Sequence, residues 1–197
     1  MPAASSSSVR VCCRFRPANH LENDHESVRA FKISGNQVES NGYDQEVFSF
    51  DSVFDDTALQ QDVYEFCARP LVDDVLDGYN CTIFAYGQTG SGKTHTMMGP
   101  AMDSDLKGVI PRIAEDIFVA MRQASADTEF TIKVCFVEIY MERIRDLLNP
   151  QDQNLRIRED KNYGITVEGA QELYVSSSAE LLQAAARYVT LFEKKLY

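Results

Sequence analysis

The nearly unbroken apolar run Cys81-Thr82-Ile83-Phe84-Ala85-Tyr86 leads directly into Gly87-Gln88-Thr89-Gly90-Ser91-Gly92-Lys93-Thr94. No other stretch constrains the fold as much. An apolar run of this length bounded by turn residues reads as a strand buried on both faces of a sheet. The eight residues after it follow the pattern Gly, four residues, Gly-Lys-Thr, whose required context is a strand before and a helix start after. Three glycines let the backbone curl without Cβ clashes, so that successive amides can point inward at an anion, and the helix start adds the positive end of its dipole. A polyanion such as a nucleoside triphosphate is the natural guest. In such a loop Lys93 reaches the β and γ phosphates as a point charge, and the Thr94 hydroxyl is placed to ligate magnesium.

The rest of the chain supplies the α/β setting that this loop needs. Residues 9–15 alternate as a strand that Arg16-Pro17 ends, and short strands are expected at 30–33 and 46–50, with Phe48, Phe50 and Phe54 helping to close the core. Thr57, with Gln60 in capping-box position, opens a helical pattern that Pro70 bends or splits and Gly78 stops. Pro111 lies just inside a second helix reaching about Gln123. Residues 130–140 read as a strand, 142–148 as helical until Asn149-Pro150, and short strands follow at 155–157 and 165–168. A last helix opens at Ser177, with Glu180 three residues on. Strands alternating with helices point to α/β, and residues 1–8, small and Ser-rich, read as a disordered tail ahead of one domain over 9–197.

Composition narrows the partners. A formal net charge of -11 argues against nonspecific nucleic-acid binding, which needs clustered Lys and Arg. No segment approaches the roughly 18 uninterrupted apolar residues of a membrane span. Cys12, Cys13, Cys67, Cys81 and Cys135 lack the paired spacing of a zinc site or disulfide framework and read as reduced, buried thiols of a cytosolic protein.

A phosphate loop by itself does not separate an ATPase from a passive nucleotide binder, but its neighbours are more specific. Tyr86 to Met97, reading Tyr-Gly-Gln-Thr-Gly-Ser-Gly-Lys-Thr-His-Thr-Met, is similar to the phosphate loop of kinesins. The strand ending Arg14-Phe15-Arg16-Pro17 resembles that family's first strand and adenine-side motif, and Gly108-Val109-Ile110-Pro111-Arg112 resembles the segment entering the helix after the loop. Phe136-Val137-Glu138-Ile139-Tyr140-Met141-Glu142-Arg143-Ile144-Arg145-Asp146-Leu147-Leu148 and Val167-Glu168-Gly169 fit two further landmarks, in the family's order. The resemblance covers residues 9–187.

It implies a kinesin-motor-like P-loop NTPase fold with a central sheet flanked by helices. It also implies ATP and Mg2+ as ligands, the microtubule (tubulin) as partner, and a cytoplasmic, cytoskeletal location. Position by position, it implies that Arg14, Arg16 and Pro17 flank the adenine, that His95 lies near the base, and that Gly87, Gln88, Thr89, Gly90, Ser91, Gly92, Lys93 and Thr94 surround the phosphates, with Thr94 on the metal. Guanidinium and proline faces can stack on a purine.

The family also carries a Ser-Ser-Arg-Ser-His switch and an Asp-Leu-Ala-Gly-type switch, and neither occurs in this sequence. Asp105-Leu106-Lys107-Gly108 has Asp-x-x-Gly spacing but no apolar strand before it, so it is given no switch role. The expectation is a truncated motor domain whose nucleotide cradle is present and whose hydrolysis is impaired, with no catalytic residue assigned. The alternative is a noncatalytic nucleotide-binding or interaction module that pairs with a partner through exposed sheet edges.

Overall fold

The computed structural model describes residues 9–19, 22, 30–41, 45–100, 104–149, 151, 153–161 and 164–193. The expected tail over 1–8 lies outside the described residues, as do residues 194–197. The chain divides into two compact units, Met1–Ile113 and Ala114–Tyr197.

In the first unit, β1 (Cys12–Arg14) pairs in parallel with β5 (Ser52–Phe54), and the ladder is extended by the Asp51 amide on Val11 O at 2.9 Å and the Phe15 amide on Phe54 O at 2.8 Å. Between them, β2 (Phe31–Ser34), β3 (Gln37–Ser40) and β4 (Val47–Ser49) form an antiparallel meander. The sequence pattern gives β2 and β4 but misses β3, whose polar residues follow a two-residue turn at Gly35, φ +60°. Phe54 is buried, whereas Phe48 stays exposed on the meander.

The expected proline break is present: α1 (Gln60–Cys67) stops, and α2 (Arg69–Leu76) starts with Pro70 in its first turn, where a missing N–H costs nothing. Thr57 is not the cap. Its hydroxyl donates to Asp55 Oδ1, and the helix begins after Leu59, whose amide donates to Asp62 Oδ2 at 2.9 Å. Gly78, at φ +96°, lies just beyond α2.

The stretch 81–86 is not a strand, since no described residue pairs with it. Phe84 and Tyr86 are 89% and 101% exposed, so the expected burial on both faces is not met. A single apolar run can signal a buried strand, but the ladder that buries it has to come from neighbours. Ile83 packs inward, joining Met97 and Ile113 around the buried cluster of Tyr64, Ala68 and Val109. The two ends of the glycine-rich loop are thereby fixed to one core, through Ile83 before it and Met97 after it.

The short α3 (Lys93–Met97) follows the loop, and α4 (Val109–Gln123) begins in this unit, with Pro111 in its first turn as expected. In the second unit the expected strand over 130–140 is two, β6 (Ile132–Val134) and β7 (Val137–Tyr140). The expected helix over 142–148 is instead β8 (Arg143–Asp146), antiparallel to β7 through a turn in which Met141 and Glu142 both take positive φ, 49° and 59°. Alternating Arg-Ile-Arg-Asp fits period two better than a helix. With β9 (Gln153–Asp160) and β10 (Gly164–Glu168) these make a four-stranded antiparallel sheet, while β11 (Leu173–Val175) pairs with β6. The final α5 (Ser178–Glu193) is capped as expected at Ser177, whose Oγ accepts from the Glu180 amide. Residues 189–193, unplaced by the sequence pattern, continue it.

The five cysteines are free thiols, but none is fully buried and Cys135 is exposed, so the expectation of buried thiols is corrected. Cys12 and Cys13 lie on β1 and Cys67 ends α1, whereas Cys81 and Cys135 lie outside any strand or helix. Among the described residues no helix is long and apolar enough to cross a membrane.

Candidate nucleotide site

The glycines of the loop adopt the backbone that only glycine takes without strain: φ is +149° at Gly87, +82° at Gly90 and +99° at Gly92. At Gly87 a Cβ would also fall 2.5 Å from Ser91 Oγ. The Ser91 amide donates to Gln88 O at 3.1 Å, tightening the curl. Lys93 Nζ donates to Gly87 O at 2.7 Å and to Gln88 O at 2.8 Å, so the cation is folded back over the loop that precedes it. Thr94 is the second residue of α3, with an exposed side chain and a carbonyl that accepts from the Met98 amide at 2.8 Å.

β1 carries the opposite wall. It delivers Arg14 at its end and Arg16 and Pro17 just beyond, and Arg16 Cβ lies 3.8 Å from where a Cβ on Gly92 would be. A cavity of about 310 Å³ opens here, lined by Arg14, Arg16 and Pro17 on one side and Ser91, Gly92, His95 and Thr96 on the other. The structure thus brings the expected adenine-side residues together with His95 and the later part of the loop. Gly87, Gln88, Thr89, Gly90, Lys93 and Thr94 adjoin this cavity in sequence without lining it.

Two contacts absent from the sequence reading order these side chains. Arg16 makes a bidentate ion pair with Glu22, Nη2 to Oε1 at 2.5 Å and Nη1 to Oε2 at 3.0 Å, and the hydrogen bond raises the arginine pKa and lowers that of the carboxylate. Both partners face solvent, so the pair orients Arg16 more than it stabilises the fold. Arg14 Nη1 donates to Gln60 Oε1 at 2.7 Å and to Thr96 Oγ1 at 3.0 Å, and partial burial lowers its pKa. Burial, and then the nearby Arg14 charge, push the His95 imidazole below its ordinary value, which favours the neutral ring. Nothing local marks Gln60 or Thr96 as partners of Arg14, because they reach it across 46 and 82 residues.

A family model described as the kinesin motor domain matches residues 14–188. The chain belongs to the kinesin motor domain family. Its relatives include the kinesin heavy chain of Botryotinia fuckeliana, 47% identical over 92% of this chain and 21% of that protein, and that of Drosophila melanogaster, 48% identical over 89% and 18%. Among solved structures, that of "a fast kinesin", reported with implications for ATPase mechanism and interactions with microtubules, superposes with a TM-score of 0.87. It is 45% identical and covers 93% of this chain and 52% of its own. The α/β kinesin motor fold is therefore the fold of this chain, which spans about a fifth of the length of those heavy chains and about half of that solved motor.

Proposed function

We propose that this chain is the nucleotide-holding part of a microtubule motor and binds ATP with Mg2+ between the 87–94 loop and the Arg14 to Pro17 segment. The observation that carries the proposal is Lys93, whose ammonium is bound by two carbonyls of a loop whose glycines have no room or no tolerance for side chains. A triphosphate offers stronger, charged acceptors than those carbonyls, so Lys93 can exchange one set of partners for the other. The residues present fit the ligand. The loop amides and Lys93 take the phosphates, while Arg14, Arg16, Pro17 and His95 border a space of about 310 Å³ for the base and sugar.

Among the described residues no group of three or more His, Cys, Asp or Glu could hold a metal ion. Thr94, with the phosphates, would hold Mg2+, and the ion would supply neutralisation of their charge. Holding the triphosphate is the task of Lys93 and the loop amides. Placing the attacking water belongs to switch segments that this sequence does not contain, so hydrolysis by the chain alone is slow. The motor's location is the microtubule in the cytoplasm, with tubulin as partner.

A second reading, a noncatalytic module that pairs with another chain, is favoured by one observation: the apolar stretch 81–86 presents Phe84 and Tyr86 to solvent with no described strand beside them. One experiment separates the two. A fluorescent ATP analogue is titrated with Mg2+ into the chain and into Lys93→Ala, and microtubule co-sedimentation and microtubule-stimulated phosphate release are followed in the same samples. Binding that Lys93→Ala abolishes, with microtubule co-sedimentation, supports the motor reading. Binding without any microtubule association supports the module, and no binding by the unaltered chain refutes the nucleotide site.

A further inference from the structure

Gln60 is 5% exposed, one of two buried polar or charged side chains among the described residues. Every polar atom of its amide is used. Oε1 accepts from Arg14 Nη1 at 2.7 Å, and Nε2 donates to His95 O at 2.7 Å and Leu106 O at 3.0 Å. The orientation is unambiguous: carbonyls cannot donate, so the atom facing His95 O and Leu106 O has to be the nitrogen, and the oxygen is left for Arg14. His95 Nδ1 stands 3.4 Å from the same nitrogen.

Two cavities meet at this point. The first, of about 310 Å³, is the proposed nucleotide space. The second, of about 410 Å³, is lined by Gln60, Gln61, Asp105, Leu106 and Arg112. Arg14, Ala58 and His95 line both, whereas Gln60 lines only the second. Gln60 therefore stands behind the wall that faces the nucleotide and grips that wall at Arg14 and His95. A guanidinium that stacks on a purine must present its plane, and charge alone does not set that plane. Gln60 and Thr96 hold the same Nη1 and set it.

We infer that Gln60 is a positioning residue for adenine recognition, acting through Arg14 and the backbone of His95 without touching the nucleotide. This rests on the reading that ATP binds in the first cavity. Gln60→Met removes every hydrogen bond at nearly constant volume. Gln60→Glu keeps an acceptor for Arg14 and loses the donor to the two carbonyls. Neither change reaches the phosphate loop.

The test is the ratio of affinities for two probes, ATP and inorganic tripolyphosphate, both with Mg2+, in the unaltered chain and both variants. Gln60→Met is expected to weaken ATP about tenfold with tripolyphosphate unchanged, and Gln60→Glu to retain most of the ATP preference. A purely structural glutamine would lower both affinities together, and that result overturns the inference, as does an unchanged ratio in Gln60→Met or equal loss in the two variants. The unaltered chain supplies an independent check that survives a misfolded variant. The side-chain amide resonances of Gln60 should shift when AMP is added and stay in place with tripolyphosphate. Their indifference to AMP overturns the inference. Failure of the unaltered chain to bind ATP while it binds tripolyphosphate overturns the adenine reading itself, and failure to bind either overturns the nucleotide site.

Discussion

The Gly108 amide donates to the Met98 carbonyl at 2.9 Å, and this bond ties the end of α3 to the start of α4 with no space left between the two backbones. A Cβ at position 108 would lie 2.6 Å from Thr96 O and 2.6 Å from Met97 C. These are backbone atoms, which cannot swing aside as a side-chain tip can.

Gly108→Ala should therefore act as an overpacking substitution, costing about 1–3 kcal/mol. For a chain of this size that corresponds to a fall in melting temperature of about 2–4 °C for each kcal/mol. Thermal unfolding followed by circular dichroism checks it. A melting temperature equal to that of the unaltered chain would mean that α3 and α4 can separate freely at this point.

Gly87 and Ser91 make a coupled pair within the loop. Alanine at 87 meets Ser91 Oγ and is also forced into a positive φ, where a side chain costs about 1–2 kcal/mol. Gly87→Ala should weaken the fluorescent ATP analogue about tenfold, equivalent to about 1.4 kcal/mol. Adding Ser91→Ala removes the clashing hydroxyl but not the backbone strain, so the double variant should recover part of the loss. Titration of the four proteins gives the coupling directly, and strictly additive losses would contradict the clash.

The phosphate loop was legible because its chemistry is local: glycines, lysine and threonine at fixed spacing specify a curled backbone and a charge. The Pro70 break and the Ser177 cap were legible for the same reason. What failed depended on partners distant in sequence. Residues 81–86 have the composition of a central strand, yet pairing comes from other strands, and no described strand stands beside them. Residues 143–146 are a different case: they lie in a stretch that reads as helical up to Asn149-Pro150, whereas their pairing with the adjacent 137–140 across a tight turn makes them a strand. Arg14, Arg16, Pro17 and His95 enter the candidate site only through the family resemblance. Their ordering contacts, Gln60 and Glu22, escaped because a hydrogen bond across 46 residues, or one to a glutamate in a polar stretch, leaves no mark in a pattern.

His95 gives a pH prediction. Burial, and then the Arg14 charge, hold its folded pKa below the ordinary value of 6.5. Between the folded and unfolded values the unfolded chain binds the extra proton, so stability rises with pH across that window. The contribution is fully present above about 6.5 and is lost as pH falls from there through the folded pKa. Imidazole resonances should titrate below 6.5, and Arg14→Met should move them upward by removing the nearby charge. A value at or above 6.5 in the unaltered chain would refute the proposed surroundings of the ring.

Asp146 supports the second unit in a way that should be separable from the nucleotide site. Only 1% exposed at the end of β8, it accepts from the Leu148 amide through Oδ1 and from the Gln171 amide through Oδ2, both at 2.7 Å. Two turns are thereby joined across 25 residues by one carboxylate. Asp146→Ala leaves both amides without that acceptor, and at about 1–3 kcal/mol for each unsatisfied buried group the loss should be roughly 2–4 kcal/mol, since water can reach the exposed Gln171. Asp146→Asn keeps one acceptor and turns an NH2 toward the other amide, so its loss should be smaller but not zero. Hydrogen exchange reads this locally: protection at Leu148 and Gln171 should fall together in Asp146→Ala. Affinity for the ATP analogue should stay unchanged, because every residue lining the proposed site lies in Met1–Ile113. Loss of nucleotide binding alongside the loss of protection would instead show that the two units fold as one cooperative structure.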